Sequence, residues 1–133
     1  MAQAQGNSRV LVVDDHHDGA EALGMFLETL GCDVRLAHSG QEALDVAPTF
    51  RPQLIILDIE MPGIDGLETA RQLRSQEWAR RSVLASHSGT SNPAIANLSK
   101  QAGCDHHIPK PATAAIFERI LQVVREQCPD GQS

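Results

Sequence analysis

The sequence predicts an α/β domain in which a parallel sheet of five strands carries helices on both faces. Three observations lead there. Short apolar runs alternate five times with stretches of helical period. Two of the runs, "VLVV" and "LIIL", are apolar at every position, as in strands buried on both sides. No repeat, low-complexity segment or linker interrupts the pattern, so the five units belong to one domain.

"RVLVVD" (9–14) reads as the first strand, rich in β-branched residues. Ala20, Leu23, Phe26, Leu27 and Leu30 then recur at helical spacing, and Gly31 suits the helix end. "DVRLAH" (33–38) alternates as a second strand, and "GQEALDVA" (40–47) is helical until Pro48, which should stop or kink it. "QLIILD" (53–58) is the third strand, followed by a helix over "GLETARQLRSQ" (66–76). "SVLAS" (82–86) is a fourth, less apolar strand. Asn92 and Pro93 suit the cap and first position of a helix with Ile95 and Leu98 inward. "CDHHI" (104–108) is a short fifth strand. Thr113 caps a last helix whose Ile116, Phe117, Ile120, Leu121 and Val124 share a face.

At 133 residues, with 41% hydrophobic and 21% charged, the chain has the composition of one globular domain rather than of a disordered segment. Its longest apolar runs, four or five residues, are too short to span a membrane, and "MAQAQGNS" lacks the apolar centre of a signal peptide. A cytoplasmic location is the default expectation. Cys32, Cys104 and Cys128 are odd in number and lack metal-type spacing, which favours reduced thiols. The doublets His16-His17 and His106-His107 place neighbours on opposite sides of an extended chain, a poor way to hold one metal ion. The formal charge of −6 comes without a dense basic block; "RQLRSQEWARR" is the nearest, which argues against nucleic acid as a direct partner.

A parallel sheet of this type places ligands beyond the carboxyl ends of its strands. Asp14 and Asp15 end the first strand, Asp58 the third, Ser88 lies at the end of the fourth, and Lys110 follows the fifth. Each alone reads as a turn, cap or surface residue. Together they put three carboxylates, a hydroxyl and an ammonium on one rim. Crowded carboxylates repel unless a cation neutralises them, and Mg²⁺ with oxygen ligands suits the task. The lysine and serine match the charge of a phosphoryl group in transfer. With no separate nucleophile in the set, a carboxylate is the candidate acceptor.

These residues resemble the receiver domain of bacterial two-component response regulators, the CheY-like fold. The resemblance spans about residues 9 to 127 and rests on "VLVVDD", "LIILDIEMPGIDG" (54–66), "SG" (88–89) and "KP" (110–111). Ser88 and Lys110 follow Asp58 by 30 and 52 residues, as the family's frame would have them. The resemblance implies a three-layer, flavodoxin-like (βα)5 fold with strand order 2-1-3-4-5. Residues 1–8 and 128–133 would be tails around a receiver domain at 9–127.

The resemblance also implies roles. Asp58 would accept a phosphoryl group from a sensor histidine kinase or a histidine phosphotransfer protein. Asp15 and Asp58 would hold Mg²⁺ directly, Asp14 through water, and the backbone carbonyl of Glu60 would be a further ligand; Mn²⁺ could substitute. Lys110 and Ser88 would meet the phosphoryl oxygens, and the bond before Pro111 is a cis candidate. Glu60 and Thr90 occupy places that influence how long the phosphoryl group survives. His107 stands where the family often keeps a mobile aromatic ring; a rotamer switch and a half-exposed strand residue are both open. The domain would be no conventional enzyme, catalysing its own phosphorylation and dephosphorylation. The fourth helix, fifth strand and fifth helix, bordered by 94–101 and 112–118, would form the face that meets a downstream protein.

Some features depart from the pattern. Ser86 and His87 interrupt the apolar fourth strand, although the spacing selects Ser88 over Ser86. His16 and His17 read as rim residues. "CPDGQS" after Gln127 is too short to fold, which fits either a stand-alone regulator or a receiver excised from a hybrid kinase. A receiver that never takes phosphate is disfavoured by the intact set of acids, serine and lysine. A phosphatase of the haloacid dehalogenase type normally carries its aspartate on the first strand, with an acid two residues later that is Asp, not Glu. A flavin-binding domain would need a neutral phosphate loop where "DDHHDG" stands.

Overall fold

The computed structural model describes residues 8–60, 66–89, 93–110 and 112–127. Five strands form one sheet in the order β2-β1-β3-β4-β5, every neighbouring pair parallel: β1 (Ser8–Val13), β2 (Cys32–Ala37), β3 (Leu54–Asp58), β4 (Val83–Ser88) and β5 (His106–Pro109). The helices between and after them are α1 (His17–Thr29), α2 (Gly40–Phe50), α3 (Gly66–Arg74), α4 (Pro93–Gln101) and α5 (Ala114–Gln127). This is the doubly wound arrangement expected above, with its strand order. Among the described residues no helix is long and apolar enough to cross a membrane.

Alternation along each strand builds two cores, because successive side chains point to opposite faces. Val10, Val12, Leu54 and Ile56 meet Ala20 and Leu27 of α1 and Phe117, Leu121 and Val124 of α5. Leu11, Val13, Ile55 and Leu57 meet Ala43 and Ala47 of α2 and Ala70 and Leu73 of α3. All five residues of β3 are buried, as its unbroken apolar run required.

Several boundaries differ from the sequence expectation for local reasons. Pro48 does not stop α2, which continues to Phe50. A proline removes only its own N–H, and Arg51 closes the helix one turn later through an N–H donated to Ala47 O at 2.7 Å. Helix α3 ends at Arg74, and a 3-10 helix over Glu77–Arg81, missed in the sequence, carries the chain into β4. Strand β4 runs through Ser86 and His87 to Ser88 because Ser86 is fully buried and hydrogen-bonded rather than solvated. β5 starts two residues later than expected, and β1 starts at Ser8, inside the expected tail. Leu98, expected inward, is 39% exposed, while Ser99 beside it is buried. Asn92 lies outside the described residues.

Among the described residues the start of α2 is the best-formed cap. Ser39 Oγ accepts from Glu42 N at 3.1 Å, and Glu42 Oε1 accepts from His38 N at 2.8 Å. Ser39→Ala is expected to cost about 1 kcal/mol. A lower urea midpoint with an unchanged slope would check this.

Candidate functional site

Each strand end delivers its polar residue for a local reason. Asp14 N donates to Ala37 O at 2.9 Å, extending the β1–β2 ladder by one residue so that the acid leaves the sheet at its rim. Asp14 Oδ1 then accepts from His16 N at 2.9 Å, a turn that opens α1. Asp58 ends β3 with 2% exposure, and its Oδ1 accepts from Glu60 N at 2.8 Å. Lys110 N donates to Ser88 O at 2.8 Å, which anchors the lysine to the end of β4.

The side chains converge as the strand order dictates. Lys110 Nζ lies 3.2 Å from Asp58 Oδ2 and 3.6 Å from Asp14 Oδ2. Ligand atoms of Asp14, Asp15, His16 and Asp58 all lie within 4.8 Å of one another. Glu60 Oε1 accepts from Gly89 N at 3.1 Å, tying the residues after β3 to those after β4. Ser88 is fully buried at the end of β4.

The two buried acids behave differently. Burial raises the Asp58 pKa above the ordinary carboxylate value, reinforced by the neighbouring Asp14, and the Glu60 N–H and Lys110 only partly offset this. Asp14 is also raised by burial, but the His16 N–H and the Lys110 charge outweigh that, and its pKa is lowered. Burial works against the Lys110 charge, yet Asp58 and Asp14 overcome it and raise the lysine's pKa. One ammonium therefore serves two carboxylates and leaves a net negative pocket.

The donor set suits a divalent cation. Asp15 Oδ1 is buried without a hydrogen bond among the described residues, although His16 Nδ1 lies 3.3 Å away. An acceptor-only oxygen in that state lacks a hydrogen-bond donor. The carboxylates of Asp14 and Asp58 beside it complete a hard, oxygen-rich site of the kind Mg²⁺ prefers.

Of the other residues singled out in the sequence, His107 Nδ1 pairs with Ser86 Oγ at 2.7 Å, so its ring is held by the serine that the spacing had set aside. Thr90 and Pro111 lie outside the described residues. His16 is 76% exposed, as a rim residue should be, yet its ring reaches both acids of the pair at 3.3–3.4 Å. His38, which sequence reasoning missed, places Nδ1 3.1 Å from Asp14 O and stacks on His17 with centroids 3.7 Å apart. Only the β1–β2 register brings it there.

His87, paired across the sheet with Asp58, was also missed. Burial, helped by the Lys110 charge, lowers its pKa from 6.5 to about 4. Its ring packs edge-on against Phe117, and its Nε2 finds no hydrogen bond among the described residues. An unfolded chain protonates this ring at 6.5, whereas the folded one resists until about 4. The stability it contributes is thus present above 6.5 and is lost as pH falls toward 4. His87→Leu should show a shallower loss of stability across that window in urea titrations; identical slopes would contradict the assignment.

The response regulator receiver domain family model matches residues 10–123. The chain is 37% identical to response regulator MprA of Mycolicibacterium vanbaalenii over 123 residues, 92% of this chain and 52% of that protein. It is 37% identical to MprA of Mycobacterium avium over 126 residues, 94% and 54% of the two chains, and so spans about half the length of these curated relatives. Among solved structures, chemotaxis response regulator CheY4 of Vibrio cholerae superposes with a TM-score of 0.80 at 27% identity, covering 88% of this chain and 98% of that one. The receiver domain of a Pseudomonas aeruginosa sensor histidine kinase, solved with a magnesium ion coordinated in its active site cleft, gives a TM-score of 0.81 at 28% identity over 88% and 96%. With a family match across nearly the whole sheet and the acid-lysine rim at the strand ends, this chain belongs to the response regulator receiver domain family.

Proposed function

We propose that this domain, over residues 9–127, takes a phosphoryl group onto Asp58 and uses it to switch a protein-interaction face. The family membership makes it a signalling domain of a two-component system rather than a conventional enzyme. The observation that carries the finer reading is the Lys110–Asp58 contact of 3.2 Å inside a cluster of three carboxylates. A buried acid with a raised pKa is a stronger base, and hence a better nucleophile, than a solvated one.

The donor is a phosphohistidine on a sensor kinase or a phosphotransfer protein. An Asp58 oxygen forms the new O–P bond as the N–P bond breaks, and the imidazole leaves with its electron pair. Asp15, Asp58 and the Glu60 carbonyl would hold Mg²⁺ directly and Asp14 through water, with Mn²⁺ able to replace it. A cation held there would supply charge neutralisation for the transferring oxygens. Lys110 follows the phosphoryl oxygens because its ammonium already lies against the acceptor. Ser88 donates to the same group, and Glu60 and Thr90 tune its lifetime against water.

The readout surface comprises α4, β5 and α5, with His107 as its switch residue. Its hydrogen bond to buried Ser86 gives that ring a defined resting position. The reading also places the domain in the cytoplasm, without nucleic acid as a direct partner.

Intact mass after incubation with Mg²⁺ and acetyl phosphate tests this. A gain of one phosphoryl group, abolished by EDTA, is expected. Absence of both a mass gain and beryllium fluoride binding would overturn the proposal.

A further inference from the structure

A second polar cavity lies at the opposite end of the sheet. It has a volume of about 390 Å³ and is lined by Arg51, Arg80, Arg81, Glu77, Trp78 and Ser82, among others. Arg51 precedes β3, and Arg80 and Arg81 precede β4, so the cavity opens at the amino ends of these strands, away from Asp58. A neighbouring cavity of about 360 Å³ shares Arg80, Arg81 and Ser82.

Three guanidiniums against one carboxylate give this end a positive face in a chain whose net charge is −6. These arginines are also poorly occupied. Arg74 nearby is consumed by structure, bonding Gly103 O, Ala79 O, Ser82 O and Asp105. Arg80 and Arg81, both exposed, make no hydrogen bond or ion pair among the described residues. Arg51 makes one weak side-chain bond, Nε to Pro48 O at 3.4 Å.

The backbone at Arg51 adds an independent sign. Its φ is 52°, the left-handed conformation at a helix end where glycine is the ordinary choice. A long charged side chain there carries a backbone cost and projects beside the cavity. Such strain points to a use for the residue.

We propose that this cavity binds a ligand carrying two or more linked phosphate groups, held by Arg51, Arg80 and Arg81 beside Trp78. Guanidinium forks match phosphate oxygens two at a time, and clustered forks suit a compact polyanion better than an extended acidic peptide. The volume falls in the range of small-molecule sites. The phosphate chain could belong to a nucleoside polyphosphate or to inorganic polyphosphate. Only the first would also use the indole as a wall for its base.

The single tryptophan makes the site its own reporter. ATP and sodium tripolyphosphate would be titrated separately into the full chain, reading Trp78 emission and, in parallel, calorimetric heat. Saturable binding with Kd below about 1 mM is expected. It should weaken as salt rises and fall at least ~10-fold in Arg80→Ala/Arg81→Ala. Asp58→Asn should bind unchanged, which separates this site from the acid rim. Tighter binding of ATP assigns a nucleotide, and equal binding assigns the phosphate chain alone. No saturation with either probe, equal affinity in the double variant, or binding of a glutamate-rich peptide in their place would overturn the proposal. Phosphoryl uptake on Asp58 is read separately in the double variant, so failure here leaves the receiver function standing.

Discussion

Asp58→Asn is expected to take up no phosphoryl group from acetyl phosphate under conditions that should load the parent chain, and in EDTA at neutral pH it is expected to melt at a higher temperature. The first result follows from chemistry, since an amide oxygen lacks the charge to attack phosphorus. The second follows from electrostatics. Burial and the adjacent Asp14 raise the Asp58 pKa, so its ionised form costs stability in the folded state. That cost is absent below the unfolded-state pKa and grows as pH rises through the folded value. The neutral isostere removes it while still accepting from Glu60 N, and Lys110 keeps Asp14 as its partner at 3.6 Å.

Asp14 works in the opposite direction. Its lowered pKa contributes stability above the unfolded value, lost as pH falls through the folded one. Mg²⁺ should reverse the order of melting temperatures, because a cation held by the three acids would stabilise the folded parent more than the variant. Intact mass and thermal melts with and without Mg²⁺ check both halves. A phosphorylated Asp58→Asn protein would sink the assignment of the acceptor.

Gly66→Ala is expected to lose about 3 kcal/mol of stability, or roughly 10 °C in melting temperature. A Cβ at this position would sit 2.2 Å from Ile59 Cα, 2.7 Å from Asp58 O and 2.9 Å from Ile59 Cβ. Two of these are backbone atoms, which cannot rotate away as the end of a flexible side chain does. Helix α3 therefore starts pressed against the strand end that carries Asp58, and only a glycine permits it. Relief requires either α3 or the Asp58–Ile59 segment to move. The variant should thus lose Mg²⁺ affinity together with stability. Chemical denaturation and metal titration read the two effects, and parental stability would show that the contact is not close in solution.

The acids, the lysine and the apolar strands were legible because each is a local pattern: a run of buried residues followed by a polar one. Pro48 misled because its effect on a helix depends on whether the next residues can still close a turn, and Arg51 closes it. β4 misled because "SHS" reads as polar, while in the fold Ser86 is fully buried with His107 as its partner. Leu98 did not take its expected inward place on α4, where Ser99 is buried instead; nothing in nine residues of weak pattern fixed the helix's rotation.

The order of strands and helices, the two-faced burial of β1 and β3, and the identity of the residues at the strand ends were determined by the sequence alone. Which ends became neighbours was a matter for the tertiary structure. Asp14 and Lys110 are far apart in the chain, yet they lie 3.6 Å apart because the order β2-β1-β3-β4-β5 gathers the carboxyl ends of parallel strands on one rim. The same pairing gathers their amino ends on the other rim and brings Arg51 to Arg80 and Arg81. Strand pairing between distant segments is a non-local choice, made by how both faces of the sheet are covered, and no window of sequence contains it.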